Sequence, residues 1–197
     1  MAKASSLYPG VTIETPLSGK DPIQAQGVTI TELPFLGKVT LRGNAADPAF
    51  AAGVKSVLGA DLPTQPLSSL RVGAFRVFWK AFDEWLIWTN EDAQIQLITD
   101  LNAALSGIRK SVVDVSDYYT ILRVDGTRSR DLLAKGCVVD LHPRAFKPGQ
   151  ATGTGFHHAT IFITLTDADT FDIMIRWSFA DYLWAYLADG AREWAPA

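Results

Sequence analysis

The chain has 197 residues, 48% of them hydrophobic and 20% charged, which suits a folded domain with a sizeable core rather than a disordered chain. A net charge of −3 lacks the basic excess of a nucleic-acid binder. One cysteine excludes an internal disulfide and a thiolate-rich metal site; no apolar run nears the ~20 residues that cross a bilayer, and the N-terminus lacks a signal-peptide core, so a soluble, cytoplasmic protein without membrane attachment is expected.

Residues 1–32 carry Pro9, Pro16 and Pro22 with scattered Gly, Ser and Thr and little periodicity. They read either as a weakly ordered leader or as an arm that folds onto a partner through residues such as Val28 and Ile30. Residues 39–41 read as a strand. Asp47 then caps a helix with Pro48 at its first position; Phe50, Val54, Val57 and Leu58 follow helical spacing, and Gly59 stops it. Residues 60–70 read as loop. Residues 71–80 and 84–89 read as a hairpin turning at Ala81-Phe82-Asp83, with Trp85 and Trp88 placed on one strand face. Asn90 caps a second helix carrying Ile95, Ile98, Leu101 and Leu105, ended by Gly107.

The second half repeats the order. Residues 112–116 form a β-branched run, and 118–124 a strand closed by Asp125-Gly126. Thr127 caps a helix with Leu132, Leu133 and Cys137 on one side, ended by Gly136. Asp140-Leu141-His142-Pro143 and Lys147-Pro148-Gly149 are loop chemistry. Residues 160–166 and 171–177 form a hairpin, with Phe171, Ile173 and Ile175 facing one way and Asp172, Met174 and Arg176 the other. Ser178 with Asp181 opens a last helix whose face is Phe179, Tyr182, Leu183, Tyr186 and Leu187, ended by Gly190. The expected fold is α+β: two tandem βαββα halves, antiparallel sheets covered by helices. Residues 1–36 would be an extended arm, 37–110 the first half and 111–197 the second, packed as one globular unit.

No nucleophile, base and orienting group assemble from the pattern. His157-His158, as neighbours on a strand, would point to opposite faces, which is poor geometry for one metal ion. Cys137 reads as apolar packing, with no base to activate it. Gly153-Thr154-Gly155 is too short for a phosphate cradle and lacks the preceding strand of a dinucleotide fingerprint. Ser116 and Ser129 stand outside any G-x-S-x-G context. His142 reads either as a loop residue bonded to backbone or as a base near Asp140. Arg123, Arg128, Arg130 and Arg144 crowd the central stretch, either as solvated surface or as an interface; Arg123, Arg128, Arg144 and Phe146 are the interface candidates.

VVDVSDYYTILRVDG, RDLLAKGCVVDLHPRAFKPGQ and IRWSFADYLWAYL, with LRG at Leu41–Gly43 and DEW at Asp83–Trp85, occur in one order along most of the chain. Together they resemble the gamma subunit of heterotetrameric sarcosine oxidase. More remotely, the pattern is similar to the folate-binding aminomethyltransferases such as the glycine cleavage T protein, whose fold it implies. There an aspartate before a P-G-Q-like segment is catalytic, which makes Asp140 the one catalytic candidate. The sequence departs from that family straight afterwards, because 150–158 lacks the longer Gly- and Asp-containing segment for substrate and folate. The resemblance implies an accessory, non-catalytic chain with alpha, beta and delta subunits as partners. FAD, FMN and NAD would belong to alpha and beta, and tetrahydrofolate to an aminomethyltransferase-like part of alpha; no cofactor or metal is expected in this chain. The complex would demethylate sarcosine oxidatively to glycine, with hydrogen peroxide and formaldehyde or methylenetetrahydrofolate. Two alternatives stay open: a stand-alone folate-binding enzyme, and a gamma subunit serving another N-methyl amino acid.

Overall fold

A computed structural model describes residues 2–5 and 9–195. The chain runs β1 (Ala2–Ala4), β2 (Thr12–Glu14), β3 (Ile23–Ala25), β4 (Val28–Leu33), β5 (Gly37–Arg42), α1 (Pro48–Leu58), β6 (Ser69–Val72), β7 (Phe75–Ala81), β8 (Glu84–Thr89), α2 (Ala93–Ala104), β9 (Ser111–Asp114), β10 (Tyr119–Asp125), α3 (Ser129–Ala134), β11 (Ala151–Phe156), β12 (Ala159–Asp167), β13 (Thr170–Arg176) and α4 (Ala180–Ala191). Two units result: Phe35–Asp117 is inserted between Met1–Pro34 and Tyr118–Ala197, which form the other. Residues 1–34, expected as an arm, and 111–117, expected in the second half, are therefore each assigned differently from the sequence-based division.

In the inserted unit the antiparallel sheet has the order β6-β7-β8-β5-β9. Helix α1 forms as its signals imply. The Asp47 side chain accepts from the Ala49 N–H, Pro48 opens the first turn, and Gly59, at φ +81°, donates its N–H to Lys55 O. Phe50, Val54 and Leu58 then meet Val39, Leu41, Val77, Trp85 and Ile87 in one core. Helix α2 departs from expectation. It starts after Asp92, which makes no side-chain cap bond, and its inward stripe is Leu97 and Leu101, continued by Leu105, while Ile95 stays 41% exposed. Trp85 and Trp88 lie three residues apart, so the two-residue period sends them to opposite faces. Trp85 enters the core, and Trp88 packs edge-on against Phe78 at 4.7 Å.

In the discontinuous unit the main sheet has the order β11-β12-β13-β10-β4-β3, beside the small β1-β2 pair. The residues expected as a leader supply β4, which pairs antiparallel with β10 from Ile121↔Leu33 to Asp125↔Thr29. Val28 and Ile30 are 2% and 0% exposed, and each such burial contributes roughly 1.5–3 kcal/mol. On β13 the alternation holds: Phe171, Ile173 and Ile175 join the core with Leu132 and Leu133 of α3 and Leu183, Trp184 and Leu187 of α4. Three caps do not form as read. Thr127, Asn90 and Ser178 do not cap; α3 begins after Arg128 and α4 after Phe179, neither with a side-chain bond. Nor does Gly190 end α4. It sits inside the helix because a Cβ there would lie 2.9 Å from Leu132 Cδ1.

The fold is α+β with antiparallel sheets, as expected, but each helix pair brackets three strands rather than two. The order is β5-α1-β6-β7-β8-α2 in one unit and β10-α3-β11-β12-β13-α4 in the other. The extra strand that each helix pair brackets, β6 or β11, lies at an edge of its sheet. Gly73, at φ +54°, breaks what reads as one strand into β6 and β7. Gly153 and Gly155 disguise β11 as loop, since an edge strand needs fewer packing side chains than a central one.

Candidate functional site

The stretch between α3 and β11 folds as a loop held mainly by its own backbone. His142 O accepts from the Ala145 and Phe146 N–H groups at 2.8 and 2.9 Å, and Gly149 N donates to Leu165 O at 2.8 Å. Asp140 Oδ1 accepts the His142 N–H at 2.9 Å, an Asx turn, and His142 Nδ1 accepts from Arg144 N at 3.2 Å. Asp140 and His142 thus serve their own loop, and both are exposed. Arg130 ties the loop down: its guanidinium donates to Leu141 O and, at 2.9 Å, to Ala168 O.

The four interface candidates separate. Arg123 makes a bidentate pair with Asp172 at 2.8 and 3.0 Å, across β10 and β13 where the two residues stand opposite each other. That bond to the Asp172 carboxylate is the main reason the Arg123 guanidinium sits above its usual pKa. Arg128 pairs with Asp131 at 2.9 Å and lies 5.8 Å over the Trp194 ring. Arg144 is exposed. Phe146 is a correction: it is 1% exposed and stacked on Phe171, so it is core and presents no surface.

His157 and His158 are not strand neighbours on opposite faces. They form the two-residue turn between β11 and β12, with ring centroids 4.0 Å apart. His157, at φ +49°, is held there by its N–H bond to Gly136 O at 2.8 Å and by a hydrogen bond between Nδ1 and the Tyr182 hydroxyl. Among the described residues no group of three or more His, Cys, Asp or Glu is arranged to hold a metal ion.

Cys137 packs against the core, and burial pushes its thiol pKa up, against smaller opposing bonds from Val139, Thr154 and Val138. A raised folded-state pKa means the native protein keeps a proton that the unfolded chain loses first. This contribution to stability is therefore full below the ordinary thiol pKa of about 8.5 and is lost as pH rises beyond it. Iodoacetamide should label native Cys137 more slowly than urea-unfolded Cys137 at every pH, with the native rate-against-pH curve displaced toward higher pH. Equal curves would remove this account.

The inserted unit holds an open groove of about 630 Å³, lined by Arg42, Gly43, Asp47, Phe82, Asp83 and Arg109 among others. Its walls come from the end of β5, the start of α1, the β7–β8 turn and the segment before β9. Arg42 pairs with Asp83 at 2.9 Å and lies 3.8 Å from Glu84. The residues at Leu41–Gly43 and Asp83–Trp85 thus meet across one hairpin partner, since Leu41 stands opposite Trp85 and Arg42 opposite Glu84. The Asp47 carboxylate caps α1.

A family model described as "Sarcosine oxidase, gamma subunit family" matches residues 42–193, which takes in both the groove and the Asp140 loop. The chain belongs to that family. As a sarcosine oxidase gamma subunit family member it is 31% identical over 169 residues to the sarcosine oxidase subunit gamma of Corynebacterium sp. (strain P-1), covering 85% of this chain and 82% of the relative. In fold it is similar to a chain of the heterotetrameric sarcosine oxidase from Corynebacterium sp. U-96, at a TM-score of 0.84 and 24% identity over 94% of this chain and 97% of that one. A weaker fold likeness joins the family member to the glycine cleavage system aminomethyltransferase T from Bartonella henselae, at a TM-score of 0.63 and 14% identity over 82% of this chain and 45% of that one. Sequence reasoning pointed to the family and to the LRG and DEW segments, and missed the groove they build with Arg109 and Phe82. Only the strand register brings those segments together.

Proposed function

We propose that this chain is the accessory, non-catalytic gamma subunit of a heterotetrameric sarcosine oxidase, assembled in the cytoplasm with alpha, beta and delta subunits. The complex demethylates sarcosine oxidatively to glycine, giving hydrogen peroxide and formaldehyde, or methylenetetrahydrofolate when tetrahydrofolate takes the carbon. FAD, FMN and NAD belong to the partner subunits. The family match across residues 42–193 carries this reading. The geometry supports it from the other side, because Asp140, the one catalytic candidate, spends its carboxylate on the backbone of its own loop.

The test is to co-express the tagged chain with the three other subunits and record composition, visible absorbance and oxygen uptake. The expected product is a yellow assembly of four unlike chains that consumes oxygen with sarcosine. Asp140→Asn in that assembly should leave turnover within about twofold of the parent. A colourless chain recovered alone that binds tetrahydrofolate would overturn the proposal in favour of a stand-alone aminomethyltransferase-like protein. Oxygen uptake with another N-methyl amino acid, and none with sarcosine, would move the chain to a related oxidase.

A further inference from the structure

The groove in the inserted unit has an unbalanced charge and an uncovered ring. Of its three cations, Arg42 is neutralised by Asp83 at 2.9 Å. Lys110 donates to the Leu105 carbonyl at 2.9 Å, at the C-cap of α2, where the helix dipole favours a cation. The exposed Arg109 guanidinium has no hydrogen bond or ion pair among the described residues. The remaining anion, Asp47, caps α1 through Ala49 N. The charged lining, three cations against Asp47 and Asp83, therefore keeps a surplus of one positive charge, and Arg109 is the cation that no ion pair or hydrogen bond engages among the described residues.

Phe82 stands at its lip. The ring is 85% exposed, at the tip of the β7–β8 turn, with Ile108 further along the lining. A turn of this kind needs no aromatic side chain. Polar residues suit it better, and leaving a phenyl ring in water forfeits burial worth as much as that of a core residue. An exposed aromatic beside an unpaired arginine has the composition of an interface hot spot, in which an apolar anchor adjoins a charge that selects the partner.

We infer that this groove docks an acidic segment of a partner subunit, one that places a carboxylate on Arg109 and an apolar side chain on Phe82. The inference rests on the gamma-subunit reading and adds where the chain is gripped. The volume suits it: about 630 Å³ lies within the roughly 300–1,000 Å³ of ligand-sized clefts, enough for a short peptide stretch rather than a flat domain face. Charge decides the occupant, because a basic or neutral segment would leave Arg109 without a counter-charge. A second copy meeting this one groove to groove would set the same positive surplus against itself.

The test uses full-length variants co-expressed with the alpha, beta and delta subunits, with loss of the chain on dilution followed by mass photometry at about 50 and 200 mM salt, a range over which exposed ion pairs are progressively screened. Phe82→Ala should weaken retention by about tenfold or more at both salt concentrations. Arg109→Glu should weaken it by a similar factor and flatten its salt dependence; Arg109→Ala replaces it if the reversal does not fold. Arg192→Glu alters the same charge on an 80% exposed side chain of the other unit and should change nothing. If Phe82→Ala and Arg109→Glu are retained like the parent in an intact complex, the docking inference falls and the gamma-subunit reading stands. Equal loss with Arg192→Glu also overturns it, as a general charge effect. A parent chain that never joins those subunits overturns both.

Discussion

Arg123→Ala should lower the unfolding free energy by about 2–3 kcal/mol, read as a shift in urea midpoint at unchanged slope. Asp172 is fully buried, and deleting one partner of a buried ion pair typically costs ~3–5 kcal/mol because the other charge loses its counter-charge. The Arg123 side chain is 40% exposed, so water screens part of the interaction and places the value at the lower end, about 2–3 kcal/mol. The pH dependence has a definite sign. A base whose folded-state pKa is raised contributes stability below its unfolded pKa and loses it as pH rises through the folded value. For Arg123 that window lies above any pH at which the protein would be handled, so the deficit should be flat across the neutral range. The double variant Arg123→Met/Asp172→Leu should recover much of the loss, since apolar replacement of a buried pair is often neutral or better. An Arg123→Ala protein within about 0.5 kcal/mol of the parent would show that the pair contributes nothing.

That pair shows where sequence reading stops. The alternation on β13 correctly put Asp172 on the face away from Phe171, and Arg123 was recognised as a residue of note. Nothing in the spacing says that Arg123 and Asp172 stand opposite each other; their register follows from how β10 and β13 align, and a one-residue slip would send every side chain to the other face. Local signals fared best where they were self-sufficient, as at Asp47, Pro48 and Gly59 around α1. They failed where tertiary pairing replaced propensity. β4 lies in a Pro-punctuated stretch of weak pattern, yet β10 and the Val28 and Ile30 contacts hold it. β11 is made a strand by β12 along its full length, from Ala151↔Thr164 to Phe156↔Ala159, despite two glycines. Lys38 is hidden for the same reason. Its 3% exposure depends on carbonyls at Leu36 and Ser116, 2.6 and 3.1 Å from Nζ, one of them far away in sequence.

Gly43→Ala should be the more damaging of the small changes, costing about 3 kcal/mol and weakening retention in the complex as well. A Cβ at Gly43 would fall 2.1 Å from Phe50 Cε2 and 2.4 Å from Cζ, so one of the two must move. Phe50 is fully buried with Val54, Leu58 and Trp85, whose ring centroid is 6.0 Å away, so its ring yields only toward the groove it lines. The backbone is held too, because Gly43 N donates to Asp83 O at 3.1 Å and Arg42 is the last residue of β5. Overpacking a tight core costs ~1–3 kcal/mol and occasionally more, and an overlap this deep belongs at the upper end. Phe50→Leu alone should cost about 1.5 kcal/mol through the space it opens. Combined with Gly43→Ala it should cost at least about 1 kcal/mol less than the sum, because the new methyl fills that space. Strict additivity would mean that the glycine is required for some reason other than the Phe50 ring. The functional consequence follows from position: Gly43, Phe50 and Asp83 all line the groove that also carries Phe82 and Arg109, so relief of the clash distorts the docking face. The double variant should therefore regain stability before it regains retention, which separates the packing role of Gly43 from its place in the groove.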